Sequence, residues 1–119
     1  MSLSRNANFK LVEFYHFASQ LYAQNTEEVA HRIIIGRAYY AAFLCGREYA
    51  NIKNSSGSVH NDVIAYFQKH NRLVCNNLSD LKELRGKADY NLTDAVQKRE
   101  AGESLRLAKN ILTTLNYLP

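Results

Sequence analysis

The sequence predicts an all-α fold, an up-and-down bundle of four to five helices, on three observations. Apolar residues recur at steps of three and four through successive segments, the spacing that gathers side chains on one helical face. One proline, Pro119, and five glycines in 119 residues are too little punctuation for many short strands and tight turns. A composition of 46% hydrophobic and 22% charged residues belongs to a folded globule rather than a disordered chain. A length of 119 residues fits one domain with one core, spanning 1–119, with residues 1–6 expected to be a frayed start.

The first helix is expected from about Asn8 to Gln24, with Leu11, Phe14, Tyr15, Ala18, Leu21 and Tyr22 on its inner face. Asn25 to Glu28 closes it and opens the next, since Asn or Thr can cap free N–H groups and glutamate suits a helix start. The second helix, about Glu27 to Ala50, is the least polar segment, with Ile33, Ile34, Ile35 and Ala38 to Leu44 leaving almost no polar face. Such a helix is central to a bundle or shared with a second subunit, so a homodimer seam is expected along it. The small Ala38, Ala41 and Ala42 would let a neighbour approach closely.

Asn51 to Gly57 reads as a loop, and Ser58 as the cap of a third helix to about His70, with Val59, Val63, Tyr66 and Phe67 inward. A looser stretch, Asn71 to Asn77, should lead to a short helix from about Leu78 to Lys87. Thr93 or Asp94 is expected to cap a last helix to about Asn116, with Val96, Leu105, Ala108, Ile111, Leu112 and Leu115 as its stripe.

Fifteen Lys and Arg against eleven Asp and Glu give a formal charge of +4, a mild bias toward polyanions. No apolar run approaches the roughly 20 residues that span a bilayer, and no signal-peptide pattern opens the chain; no membrane association and a cytoplasmic location are expected. Cys45 and Cys75 lie 30 positions apart without a C-x-x-C pair or a suitably spaced histidine, which argues against zinc and for two buried thiols, a disulfide being the alternative. No cofactor or metal is implied. The P-loop, G-x-G-x-x-G, H-E-x-x-H and G-x-S-x-G motifs are all lacking.

Chemistry is therefore sought in isolated polar residues. His16 and His31 fall beside apolar runs and read as structural. His60 follows the polar Ser55-Ser56-Gly57-Ser58 loop near a helix start, where free backbone donors can receive an anion; a solvent-facing place on the first turn is the plainer alternative. In Leu84-Arg85-Gly86-Lys87-Ala88-Asp89-Tyr90, Arg85 and Lys87 suit a helix C-terminus, Gly86 hints at a bend or close approach, and Asp89 stands four residues after Arg85, where the two could pair. Arg37 lies inside the most apolar helix, so it needs a carboxylate such as Asp89 or Glu83, a set of carbonyls, or an anionic ligand.

These segments, Arg37-Ala38-Tyr39-Tyr40-Ala41-Ala42-Phe43, the helix start around Val59-His60-Asn61-Asp62, and Leu84 to Asn91, together resemble the HEPN domain, in its small stand-alone prokaryotic branch. The likeness runs in matching order from about Glu27 onward. It implies a helical bundle, a homodimer, and RNA- or nucleotide-linked biology. Members are ribonucleases that work without metal, often toxins in toxin–antitoxin or anti-phage systems, or partners of an adjacent nucleotidyltransferase. The nuclease members carry Arg, four to six residues, then His, the arginine stabilising charge on phosphorus and the histidine moving a proton.

This chain departs from that pattern. Arg85 matches the arginine, but Tyr90, Asn91 and Leu92 stand where the histidine should, and no other arginine has a histidine five to seven positions on. Tyrosine, with a pKa near ~10, is a poor proton shuttle at neutral pH. Three readings follow. The first is a binding or interaction module that presents Arg37, His60, Arg85, Lys87 and Asp89 to RNA, a nucleotide or a partner such as a nucleotidyltransferase or antitoxin. The second is a nuclease with an altered site, for which Arg85, Tyr90 and His60 would be the catalytic set. The third is a purely structural dimerising bundle.

Overall fold

The computed structural model describes residues 10–54 and 56–119; the frayed start expected at residues 1–6 lies outside them. Five helices make up the described residues: α1 Glu13–Gln24, α2 Glu28–Ala50, α3 Val59–His70, α4 Arg72–Tyr90 and α5 Lys98–Thr114. No strand occurs among these residues, and no helix is long and apolar enough to cross a membrane. The all-α bundle expected from the apolar periodicity is what the chain forms.

Helix α2 is the hub, the only described helix that packs against all four others. Its Ile34, Ile35, Ala38, Tyr39, Ala41, Ala42 and Phe43 are buried, which is why its middle is so apolar. One side is open, and Val29, Ile33, Arg37 and Tyr40 stand on it exposed. Arg37 is thus not the buried cation that the surrounding apolar run suggested. It makes no hydrogen bond or ion pair with Asp89 or Glu83, because its steps from Val29 and Ile33 place it on the exposed face of α2.

The expected breaks were wrong in three places, the first being the start of α1, which lies at Glu13 after a turn at Leu11 and Val12 rather than near Asn8. Asn71 to Asn77 is not a loose stretch: a single residue, Asn71, separates α3 from α4, and its side chain accepts from Val74 N–H at 3.2 Å as a helix cap. Val74, Cys75, Leu78 and Leu81 then fall on one buried face, so packing overrides the weak helix propensity of Asn76 and Asn77. Neither Thr93 nor Asp94 caps the last helix. Asn91 Oδ1 accepts from both of their backbone N–H groups and holds them in a turn, and the cap is Gln97, in a reciprocal capping box with Glu100.

Two arginines tie the connections down. Arg47 Nε donates to Ile52 O at 3.0 Å and its Nη2 to Asn54 O at 2.7 Å, fixing the chain after α2. Arg32 reaches the end of α4: its Nη1 donates to the carbonyls of Lys87, Ala88 and Asn91, and its Nη2 to that of Asp94. The Lys87 carbonyl also keeps its bond from Asn91 N–H, and the guanidinium gathers the carbonyls at this helix end and offsets its dipole. Glu28 completes the clamp, accepting from Arg32 at 2.8 Å and from Val96 N–H at 3.1 Å. His31 adds a bond from Nδ1–H to Val96 O at 3.0 Å. Cys45 and Cys75 are buried free thiols, and burial pushes the Cys45 thiol up to about 12.

Candidate functional site

Where the open side of α2 meets α3 and the end of α4, a cleft of about 410 Å³ opens. Val29, Ile33 and Tyr40 form an apolar wall, the backbone of Gly36 lies on its surface, and Arg32, Arg37, Arg85, Asp89 and His60 supply the polar groups, the Arg32 guanidinium being taken up by the end of α4. A cleft of this size suits a small ligand held by a few placed polar groups.

Tyr39 organises the centre. It is 2% exposed, so its ring belongs to the core while its hydroxyl reaches the cleft. The hydroxyl stands 2.7 Å from His60 Nδ1. The Arg85 guanidinium carbon lies 5.5 Å from the centre of the same ring, a cation–π distance. Phe43, one turn further along α2, stacks on the His60 imidazole with centroids 4.0 Å apart and planes 10° from parallel. Arginine, phenol and imidazole are thereby fixed on one another by packing from three helices.

The electrostatics keep the imidazole neutral. Burial lowers the His60 pKa from its ordinary value, and the positive charges of Arg85, Lys82 and Arg47 lower it further. Burial also pushes the Tyr39 phenol up to about 12, with Arg85 opposing, so the phenol keeps its proton. A phenol is a better donor than acceptor toward a neutral imidazole, which assigns the Tyr39 proton to Nδ1 and leaves the imidazole proton on Nε2. Among the described residues no hydrogen bond engages that Nε2.

Arg85 donates from Nε to Asp89 Oδ2 at 2.8 Å, the pairing that the four-residue spacing allows. Among the described residues its two Nη groups make no hydrogen bond, and neither does Arg37. Two guanidinium groups therefore face one cleft with donors to spare.

The predicted site residues divide cleanly. Arg37, His60, Arg85 and Asp89 line the cleft; Lys87 and Tyr90 do not. Lys87 is two positions from Arg85, about 200° around the helix, and pairs instead with Glu100 at 2.7 Å on the α5 side. Tyr90 is 76% exposed at the last turn of α4, away from Arg85 and His60. The tyrosine beside Arg85 is Tyr39, from a different helix, which no local spacing could single out. Arg32 was missed as well; its only sequence signal is the i,i+4 spacing from Glu28.

Ser58 precedes α3 but does not cap it through its side chain: its hydroxyl goes to Asp62 Oδ2, which also accepts from Asn54. That network, with Lys82 Nζ on Asn61 at 2.8 Å, sets the first turn of α3 and so the height of His60 over the cleft. Ser55, named with this loop, lies outside the described residues.

Against this geometry, no family model matches the chain, and neither a curated protein nor a solved structure does. The site must be read from its own chemistry.

Proposed function

We propose that the chain is a HEPN-like binding module that holds the phosphate of a nucleotide or of RNA between Arg37 and Arg85, with His60 at the edge. One observation carries this reading: two guanidinium groups with uncommitted donors line the same cleft as a neutral imidazole. Guanidinium matches phosphate in shape and charge and binds it through paired N–H groups. The exposed Tyr40 ring and the Val29–Ile33 wall would cover the ligand's apolar part. The test is binding of a short fluorescent RNA and of a nucleoside monophosphate as salt is raised. Affinity should fall with salt, and Arg37→Ala and Arg85→Ala should each weaken it about tenfold or more. Binding untouched by both substitutions would sink the reading.

The homodimer expected along α2 is part of the same proposal and rests on the apolar run of that helix and on the motif resemblance. A place in a toxin–antitoxin, anti-phage or nucleotidyltransferase-linked system rests on the motif resemblance, and a cytoplasmic location is proposed on the two buried free thiols.

A second reading, a metal-independent endoribonuclease with an altered site, is favoured by the Tyr39–His60 pair beside Arg85. In it His60 would move the proton and Arg85 would stabilise charge on phosphorus. It requires cleavage of RNA in EDTA that His60→Ala abolishes. An intact RNA pool would exclude it and leave the binding module.

A further inference from the structure

Gly36 stands in the middle of α2, where glycine weakens a helix relative to alanine. Packing gives no reason for it. An added Cβ would find its nearest neighbour, Asp89 Oδ1, at 3.9 Å, an ordinary contact, and no described glycine has a positive φ. Gly46 on the same helix is different, since a Cβ there would come within 3.2 Å of Phe67 Cε2 where α3 crosses. What Gly36 does is leave bare backbone in the cleft, beside a carboxylate oxygen.

That carboxylate is half used. Asp89 Oδ2 takes the bond from Arg85 Nε, and Oδ1 accepts none among the described residues. A phosphate alone gains nothing from a neighbouring anionic oxygen. A carboxylate set among guanidinium groups suits a ligand that carries a hydroxyl next to its phosphate, because an ionised carboxylate can only accept.

We propose that Asp89 Oδ1 and the open backbone at Gly36 form a hydroxyl subsite for the ribose 2′-hydroxyl of a ligand whose 3′-phosphate is held by Arg85. The cleft then prefers ribonucleotides to deoxyribonucleotides. The carboxylate and the guanidinium are joined by a 2.8 Å bond, so the two ligand groups they hold must be close neighbours, as the 2′-hydroxyl and 3′-phosphate are. The inference rests on the phosphate-binding reading above.

The test titrates the full chain with uridine 3′-monophosphate and with its 2′-deoxy counterpart. The ribonucleotide should bind about tenfold tighter or better, the difference one charge-assisted hydrogen bond makes. Asp89→Ala, which removes the acceptor altogether, should bring the two affinities within about threefold of each other. Gly36→Ala should raise the melting temperature by a few degrees while reducing ribonucleotide affinity to the deoxynucleotide level. Equal affinity of the unmodified chain for both sugars, or a stabilised Gly36→Ala chain with its preference intact, would overturn the subsite and leave phosphate binding standing. Binding of neither nucleotide would overturn both.

Discussion

The Tyr39 hydroxyl and His60 Nδ1 lie 2.7 Å apart, joining the central helix of the bundle to the first turn of α3. The bond spends one imidazole nitrogen on the protein and leaves the other for the cleft. Tyr39 also carries Arg85 over its ring, so a single buried side chain sets the positions of two polar groups that the chain separates by 25 residues. Tyr39→Phe keeps the ring and removes the bond. It should leave the fold intact and raise the His60 pKa, because a donor to Nδ1 favours the neutral imidazole. Histidine NMR titration of both proteins measures this.

The same titration of the unmodified chain should place His60 below the ordinary histidine value, and Arg85→Gln should move it up by removing the positive charge that lowers it most. The sign for stability follows from linkage. Because the folded state resists protonation here, the unfolded chain binds more protons as pH falls below about 6.5. Stability should therefore be flat above that pH and decline below it, down to the folded pKa. Urea midpoints between pH 5 and 8 for the native chain and His60→Gln would reveal the difference.

Acid should find a second weakness. Arg32 and Val96 N–H hold the Glu28 carboxyl below its usual range, and Gln97 N–H and Lys87 do the same for Glu100. Both contributions are complete above the ordinary carboxyl pKa and are lost as pH falls through the lowered values. Below about pH 4.5 the native chain should lose stability faster than the Glu28→Gln, Glu100→Gln double variant, measured by circular dichroism.

Arg32 should matter more to the fold than any surface cation. It satisfies four carbonyls at the end of α4 and its loop, and lysine cannot reproduce that fork. Arg32→Ala should cost about 2–3 kcal/mol, and Arg32→Lys should recover less than half of it. Amide exchange should quicken most between Ala88 and Val96.

Much of this architecture was legible beforehand, and the reasons for the misses are physical. Helices α2 and α3 begin and end within a residue of where periodicity puts them, since their stripes are strong and an obvious polar loop separates them. The one-residue turn at Asn71 was hidden because a capping asparagine and a loop asparagine look alike until the buried face of Val74, Cys75 and Leu78 is known. Arg85 and Asp89 come together because both lie on one helix face. Their junction with Tyr39 and His60 is tertiary, and no spacing along the chain encodes it.

Gly86, singled out in the sequence as a hint of a bend or a close approach, has neither. It lies in regular helix with nothing within 4 Å of an added Cβ. Gly86→Ala should therefore stabilise by about 1 kcal/mol, whereas Gly46→Ala should gain nothing because Phe67 and Val63 already fill its space. Thermal melts of the two variants separate these outcomes.

The most direct measurement follows the Arg37 and Arg85 Nε–Hε signals and the His60 imidazole by NMR while a nucleoside monophosphate is added. All three should shift together along one saturable curve, and added salt should reverse the shift. Unmoved signals at Arg85 and His60, with changes confined to lysines elsewhere on the surface, would contradict a phosphate site in this cleft.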